Sequence, residues 1–233
     1  MDETLQHIRK IWKTRDLLGT IILRPPDKTV TEKVVESQQI SIKENSSAKP
    51  VETNQPGEGG QSQVISGCPP CKCGEVLKHV RIVGGIETLV NEFPWMTALM
   101  YNNRFYCGAS LINNRYVLTA AHCVNGFSKE RISAVFLDHD RSTATETQTI
   151  TRKIKNIHRH RSYGYGSNYN NDIAVLQLDE DLPLTGKLQP VCLPPTGKSF
   201  SGFTGVAVGW GATKQNGQTA SKLQEVKVPI MSM

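Results

Sequence analysis

The sequence predicts an all-β domain, a barrel or sandwich, over residues 68–233, and two observations carry that expectation. From Cys68 onward, short runs rich in β-branched and aromatic residues alternate with turn residues, and no stretch holds a long helical period. The six cysteines (Cys68, Cys71, Cys73, Cys107, Cys123 and Cys192) form an even set confined to this part, as in a domain stapled by disulfides.

The strands follow one another closely. Trp95–Tyr101 runs into Asn102-Asn103, and Phe105–Ile112 into Asn113-Asn114, with Tyr116–Ala121 beyond. Ile132–Leu137, Gln148–Ile157 and Ile173–Leu178 continue the series, which Gly205–Gly209 and Leu223–Ile230 close. Asparagine and glycine between apolar runs are turn formers, because they accept backbone conformations that other residues resist.

The first 67 residues have a different texture. In residues 1–24, Leu5, Ile8 and Trp12, with Ile11, Arg15, Leu18 and Ile22, give a partly helical spacing that suggests a short N-terminal helix. Residues 25–67 contain no Phe, Trp or Tyr and are expected to form a disordered linker, since they cannot bury enough apolar area to offset chain entropy. Residues 68–81 hold three cysteines and lead into the domain proper, residues 82–233.

Charge and hydropathy exclude several classes of function. Hydrophobic residues make up 38% of the chain, ordinary for a folded protein. Residues 1–67 carry nine Lys/Arg and nine Asp/Glu, so the net +6 lies entirely in residues 68–233. It forms no block of the kind a nucleic-acid-binding arm shows, and no nucleic acid is expected as a partner. The apolar run Leu17–Leu23 is too short to span a bilayer, so no membrane is expected either. It also lacks the small-residue cleavage site of an export signal, whereas the cysteines point to an oxidising, extracellular compartment. No cysteine pair recurs at zinc-ribbon spacing, and neither a metal nor a cofactor is expected.

Three short segments bear on chemistry. His122 stands in Thr119-Ala120-Ala121-His122-Cys123 at the end of an apolar strand. Fifty residues later, Asp172 opens the β-branched run Ile173-Ala174-Val175-Leu176. Arg81 precedes Ile82-Val83-Gly84-Gly85, a cleavage point that would release a new amino terminus at Ile82. With Phe93-Pro94-Trp95, Cys107-Gly108-Ala109-Ser110-Leu111-Ile112, Val191-Cys192-Leu193-Pro194 and Gly209-Trp210-Gly211, these segments stand in the order of the chymotrypsin/trypsin family. Residues 82–233 resemble its protease domain, and Cys68–Arg81 resembles its activation segment.

The resemblance implies a secreted zymogen cleaved between Arg81 and Ile82, with two six-stranded antiparallel β-barrels and the active site between them. It implies that His122 is the general base and Asp172 the buried acid that fixes the imidazole tautomer, and that Cys107 and Cys123 close the loop bearing the histidine. Cys192 would tether the activation segment through Cys68, Cys71 or Cys73. Cys73, nearest Gly74, is the expected partner, and the other two could join each other. The implied partners are a protein or peptide substrate, an activating protease that cuts after Arg81, and protease inhibitors.

One member of the implied triad is not found. Ser110 matches a structural strand serine of the family, and neither Ser199 nor Ser201 lies in a Gly-Asp-Ser-Gly context. The family places its serine roughly 93 residues beyond the acid, near position 265 by that count. The 233 residues are therefore expected to lack the nucleophile, the oxyanion hole and the specificity pocket, and to be inactive alone. The first barrel is expected to be largely present. The second is expected to be truncated to about two strands from Phe203–Ile230 with open edges. Two functional readings follow: a serine endopeptidase, or a non-catalytic homologue that binds or regulates.

Overall fold

The computed structural model describes residues 21–22, 72–77, 86–212 and 217–231. The readings placed on residues 1–20, on the 25–67 linker, on Cys68 and Cys71, and on Arg81–Ile82 lie outside the described residues. The described chain is all-β. Its one helical element is a single 3-10 turn, Lys129–Arg131, so none of its helices is long and apolar enough to cross a membrane.

Among the described residues, ten strands build two sheets: β1 (Ile21–Ile22), β2 (Ile86–Glu87), β3 (Met96–Tyr101), β4 (Arg104–Leu111), β5 (Tyr116–Thr119), β6 (Ile132–Phe136), β7 (Ile150–Arg159), β8 (Ala174–Leu178), β9 (Thr204–Gly209) and β10 (Gln224–Pro229). Strands β3 to β8 close into a six-stranded barrel in the order β3-β4-β5-β8-β7-β6, with every pair antiparallel. Closure leaves this sheet no free edge.

Local sequence sets the corners. The β3–β4 connection is the two residues Asn102 and Asn103, at φ 50° and 64°. Two positive φ values in succession match the twist of a tight hairpin, and asparagine tolerates them. At the next corner the Asn113 side chain accepts the backbone N–H groups of Arg115 and Tyr116, both at 2.8 Å. Strand β5 ends at Thr119, two residues short of the apolar run, because Ala120 and Ala121 carbonyls accept the N–H groups of Cys123 and Val124 and turn the chain.

The second sheet has the order β1-β9-β10-β2. Ile86–Glu87 pairs with Glu225 and Gln224 of β10, so the start of the described domain joins the second sheet. Ile21–Ile22 is extended, not helical, and pairs with Ala207 and Val206 along the outer edge of β9. Unpaired strand N–H and C=O groups are a stronger local attraction than a weak helical spacing.

One core joins the sheets. Leu99, Leu111, Phe136, Leu176 and Leu178 from the barrel are fully buried in one cluster with Val206 and Val208 of β9 and with Trp210 and Leu223, which flank β9 and β10. The Trp210 ring meets Phe105 edge-on at 5.8 Å, and its Nε1–H donates to the His139 carbonyl at 2.9 Å.

Candidate active site

Register brings His122 and Asp172 together. Strands β5 and β8 are antiparallel neighbours in which Thr119 pairs with Ala174. His122 lies three residues beyond Thr119 and Asp172 two residues before Ala174, so both leave the barrel at the same end. Fifty residues of separation become a 2.7 Å contact between His122 Nδ1 and Asp172 Oδ2. The other carboxylate oxygen, Oδ1, accepts the backbone N–H of His122 at 2.8 Å. A carboxylate only accepts, so Nδ1 is the nitrogen that donates, and in the neutral ring Nε2 then keeps its lone pair.

Each partner is held from behind. The Cys107–Cys123 disulfide fastens the residue after His122 to strand β4. Asp172 stands at the apex of a three-residue turn closed by the Ile173 N–H and the Asn171 carbonyl at 2.8 Å. Asn171 takes φ 55°, and its side chain donates to the Ser162 carbonyl at 3.0 Å. The Asp172 side chain is only 12% exposed, whereas that of His122 is 50% exposed. The acid is sheltered and the imidazole is open to a reactant.

The surrounding loop contains a residue that the sequence reading passed over. Arg159 sits over the Tyr163 ring at 5.7 Å, and Tyr165 is 81% exposed, so this part of the loop is largely solvated. Tyr169, however, meets the His122 ring edge-on at 6.2 Å. Its only signal in sequence was its place three residues before the acid, too common an arrangement to read.

The serines lie elsewhere. Ser110 is buried in β4. Ser199 and Ser201 are exposed and hydrogen-bonded to each other at 3.2 Å. The neighbour of His122 Nε2 is Cys123 Sγ at 3.5 Å. Cys107, His122 and Cys123 present donor atoms within 4.8 Å of one another, but both sulfurs are locked in the disulfide and offer no thiolate to a metal.

The second disulfide joins Cys73 to Cys192 across 119 residues. Gly74 follows at φ +69°, and a Cβ built there would stand 3.0 Å from Cys192 Sγ, so only glycine fits comfortably. Gly74 N–H donates to Pro190 O at 2.9 Å and Leu77 N–H to Glu92 O at 3.0 Å, strapping residues 72–77 to the domain.

A family model, Trypsin, matches residues 82–233. The chain belongs to the trypsin family. Among relatives of this trypsin-family chain are a venom serine protease of Polistes dominula, 34% identical over 70% of the chain, and Serine protease filzig of Drosophila melanogaster, 36% identical over 70%. Serine protease ea of Drosophila melanogaster is 35% identical over 66% of the chain. The trypsin-family chain spans 60%, 10% and 46% of these three relatives.

Proposed function

We propose that this chain carries the histidine and carboxylate of a serine endopeptidase, with His122 as general base and Asp172 as the group that orients it. The 2.7 Å contact between His122 Nδ1 and Asp172 Oδ2 carries the reading. With Nδ1–H committed to Asp172, the exposed Nε2 is free to take the proton of a hydroxyl as its oxygen attacks a peptide carbonyl. Asp172 stabilises the resulting imidazolium, which then gives the proton to the leaving amine. The trypsin family divides the labour in this way, and the roles come here by matching position.

The nucleophilic serine is, on this reading, not among these 233 residues, and the chain alone does not cleave peptides. The assembled enzyme is an extracellular zymogen. An activating protease cuts between Arg81 and Ile82, and the Cys73–Cys192 link keeps the activation segment attached. Its substrates are proteins or peptides, and its natural antagonists are protease inhibitors. The two disulfides support the extracellular assignment. A second reading is a non-catalytic homologue that binds or regulates.

Two measurements test these readings. The purified chain, before and after cleavage at Arg81, should neither react with a serine-directed phosphonate nor hydrolyse a peptide amide. Hydrolysis that is abolished by His122→Ala would place the nucleophile within the 233 residues. Sequencing the natural transcript separates enzyme from homologue. A Gly-Asp-Ser-Gly segment supports the enzyme, and its absence from the full coding sequence overturns it.

A further inference from the structure

We propose that Ile21–Ile22 is a guard strand, which occupies the outer edge of β9 in its own chain and keeps that edge from pairing with a second copy. The need for a guard follows from the order β1-β9-β10-β2. The six-stranded barrel closes on itself and offers no edge, but this second sheet is open. Its two long strands, β9 and β10, match all six residues of each, from Thr204 with Pro229 to Gly209 with Gln224. Two paired strands alone are marginal in water and need further strands on their flanks.

The two flanks differ in chemistry. On β10, Ile86–Glu87 covers Gln224 and Glu225, and beyond that pairing the strand carries Lys227 and Pro229, both exposed. Lysine deters a further strand by its charge, and proline by lacking an N–H. Strand β9 has neither: Thr204–Gly209 reads Thr-Gly-Val-Ala-Val-Gly, and Gly205, Val206 and Val208 are buried. An uncharged apolar strand without proline is a template for another chain. Among the described residues, β1 is its one strand neighbour on the outer side, pairing Ile21 with Ala207 and Ile22 with Val206.

Position makes so short a strand effective. Val206 and Ala207 are the middle two of the six residues of β9, so β1 leaves only Thr204–Gly205 on one side and Val208–Gly209 on the other. Each remnant is shorter than the roughly three residues at the low end of strand lengths. Ile21 and Ile22 also give a role to the apolar run Leu17–Leu23, which neither spans a bilayer nor ends in an export cleavage site. Isoleucine favours extended backbone. The chain supplies this strand to its own edge without the loss of freedom that a second copy incurs, and Cys73–Cys192 anchors the same amino-terminal part to the domain. On the reading above, a strand that closes the second barrel must displace β1. Guarding of the edge within these 233 residues does not depend on that reading.

Sedimentation velocity on the full chain tests this against the double variant Ile21→Pro with Ile22→Pro, in which neither residue can donate to β9. The proline variant should self-associate at about tenfold lower concentration than the unaltered chain. Ile21→Val with Ile22→Val keeps both N–H groups and the branching, and should match the unaltered chain. Amide exchange in β8, inside the closed barrel, should be alike in all three and shows that the variants are folded. Equal self-association of the proline variant and the unaltered chain overturns the proposal, and so does a valine variant that associates like the proline one. Should the prolines prevent folding, the unaltered chain decides by backbone NOEs between Ile21–Ile22 and Val206–Ala207. Their absence overturns the proposal, as does their appearance only between labelled and unlabelled copies.

Discussion

Asp172 holds His122 at two points, one carboxylate oxygen on the backbone N–H at 2.8 Å and the other on ring Nδ1 at 2.7 Å. A single residue therefore sets both where the histidine backbone lies and which ring nitrogen carries the proton.

Asp172→Asn separates those functions. An amide has one accepting oxygen and one donating nitrogen. We expect the oxygen to keep the backbone N–H and the NH₂ to face Nδ1, so that the ring proton moves to Nε2. Nitrogen-15 shifts of the imidazole read the tautomer directly, and unchanged shifts would refute the assignment. In the trypsin family the equivalent change lowers turnover about 10⁴-fold.

The disulfides make a covalent prediction. Peptide mapping should recover Cys107 with Cys123 and Cys73 with Cys192. Cleavage after Arg81 should leave the two pieces together on a non-reducing gel and release them only after reduction. Replacing Cys107 and Cys123 together by serine opens a loop of sequence separation 16. It should cost about 3 kcal/mol, read from the urea midpoint.

Burial holds Asp138 above its ordinary carboxylate range, with Arg141 opposing. The charged form is the one penalised, so the penalty is present at neutral pH and is relieved as pH falls through the raised value. Asp138→Asn should therefore raise the melting temperature at pH 7 and leave it nearly unchanged in strong acid. A uniform shift at all pH values would point to packing instead.

Glu87 behaves oppositely. The Lys222 ammonium holds its carboxyl below the ordinary 4.5, and His139 adds to the effect. Its contribution is full above pH 4.5 and is lost as pH falls through the lowered value. Glu87→Gln should flatten the acid limb of a stability–pH curve, and an unchanged limb would refute the pairing.

Trp210→Phe keeps an aromatic ring against Phe105 but removes the donor to the His139 carbonyl. That carbonyl still accepts Leu223 N–H at 3.0 Å, so the cost should stay near 1–2 kcal/mol, measured by chemical denaturation.

Local sequence by itself determined the strands, because alternation of β-branched runs with Asn and Gly is written in neighbouring residues. Asn102 and Asn103 announced the hairpin whose positive φ values they supply. The ordered segments around Ile82, His122 and Asp172 likewise made the family legible. Tertiary structure alone decided what depends on pairing between distant residues. Nothing near His122 states that Thr119 aligns with Ala174, yet that register creates the 2.7 Å contact. The resemblance left three candidates for Cys192, and the Cys73–Cys192 disulfide, with Gly74 packed against its sulfur, identifies Cys73. The joining of Ile86–Glu87 to β10 arises in the same way. Side-chain periodicity specifies which face of a strand is buried but is silent on which strand lies beside it, and the site depends on that neighbour.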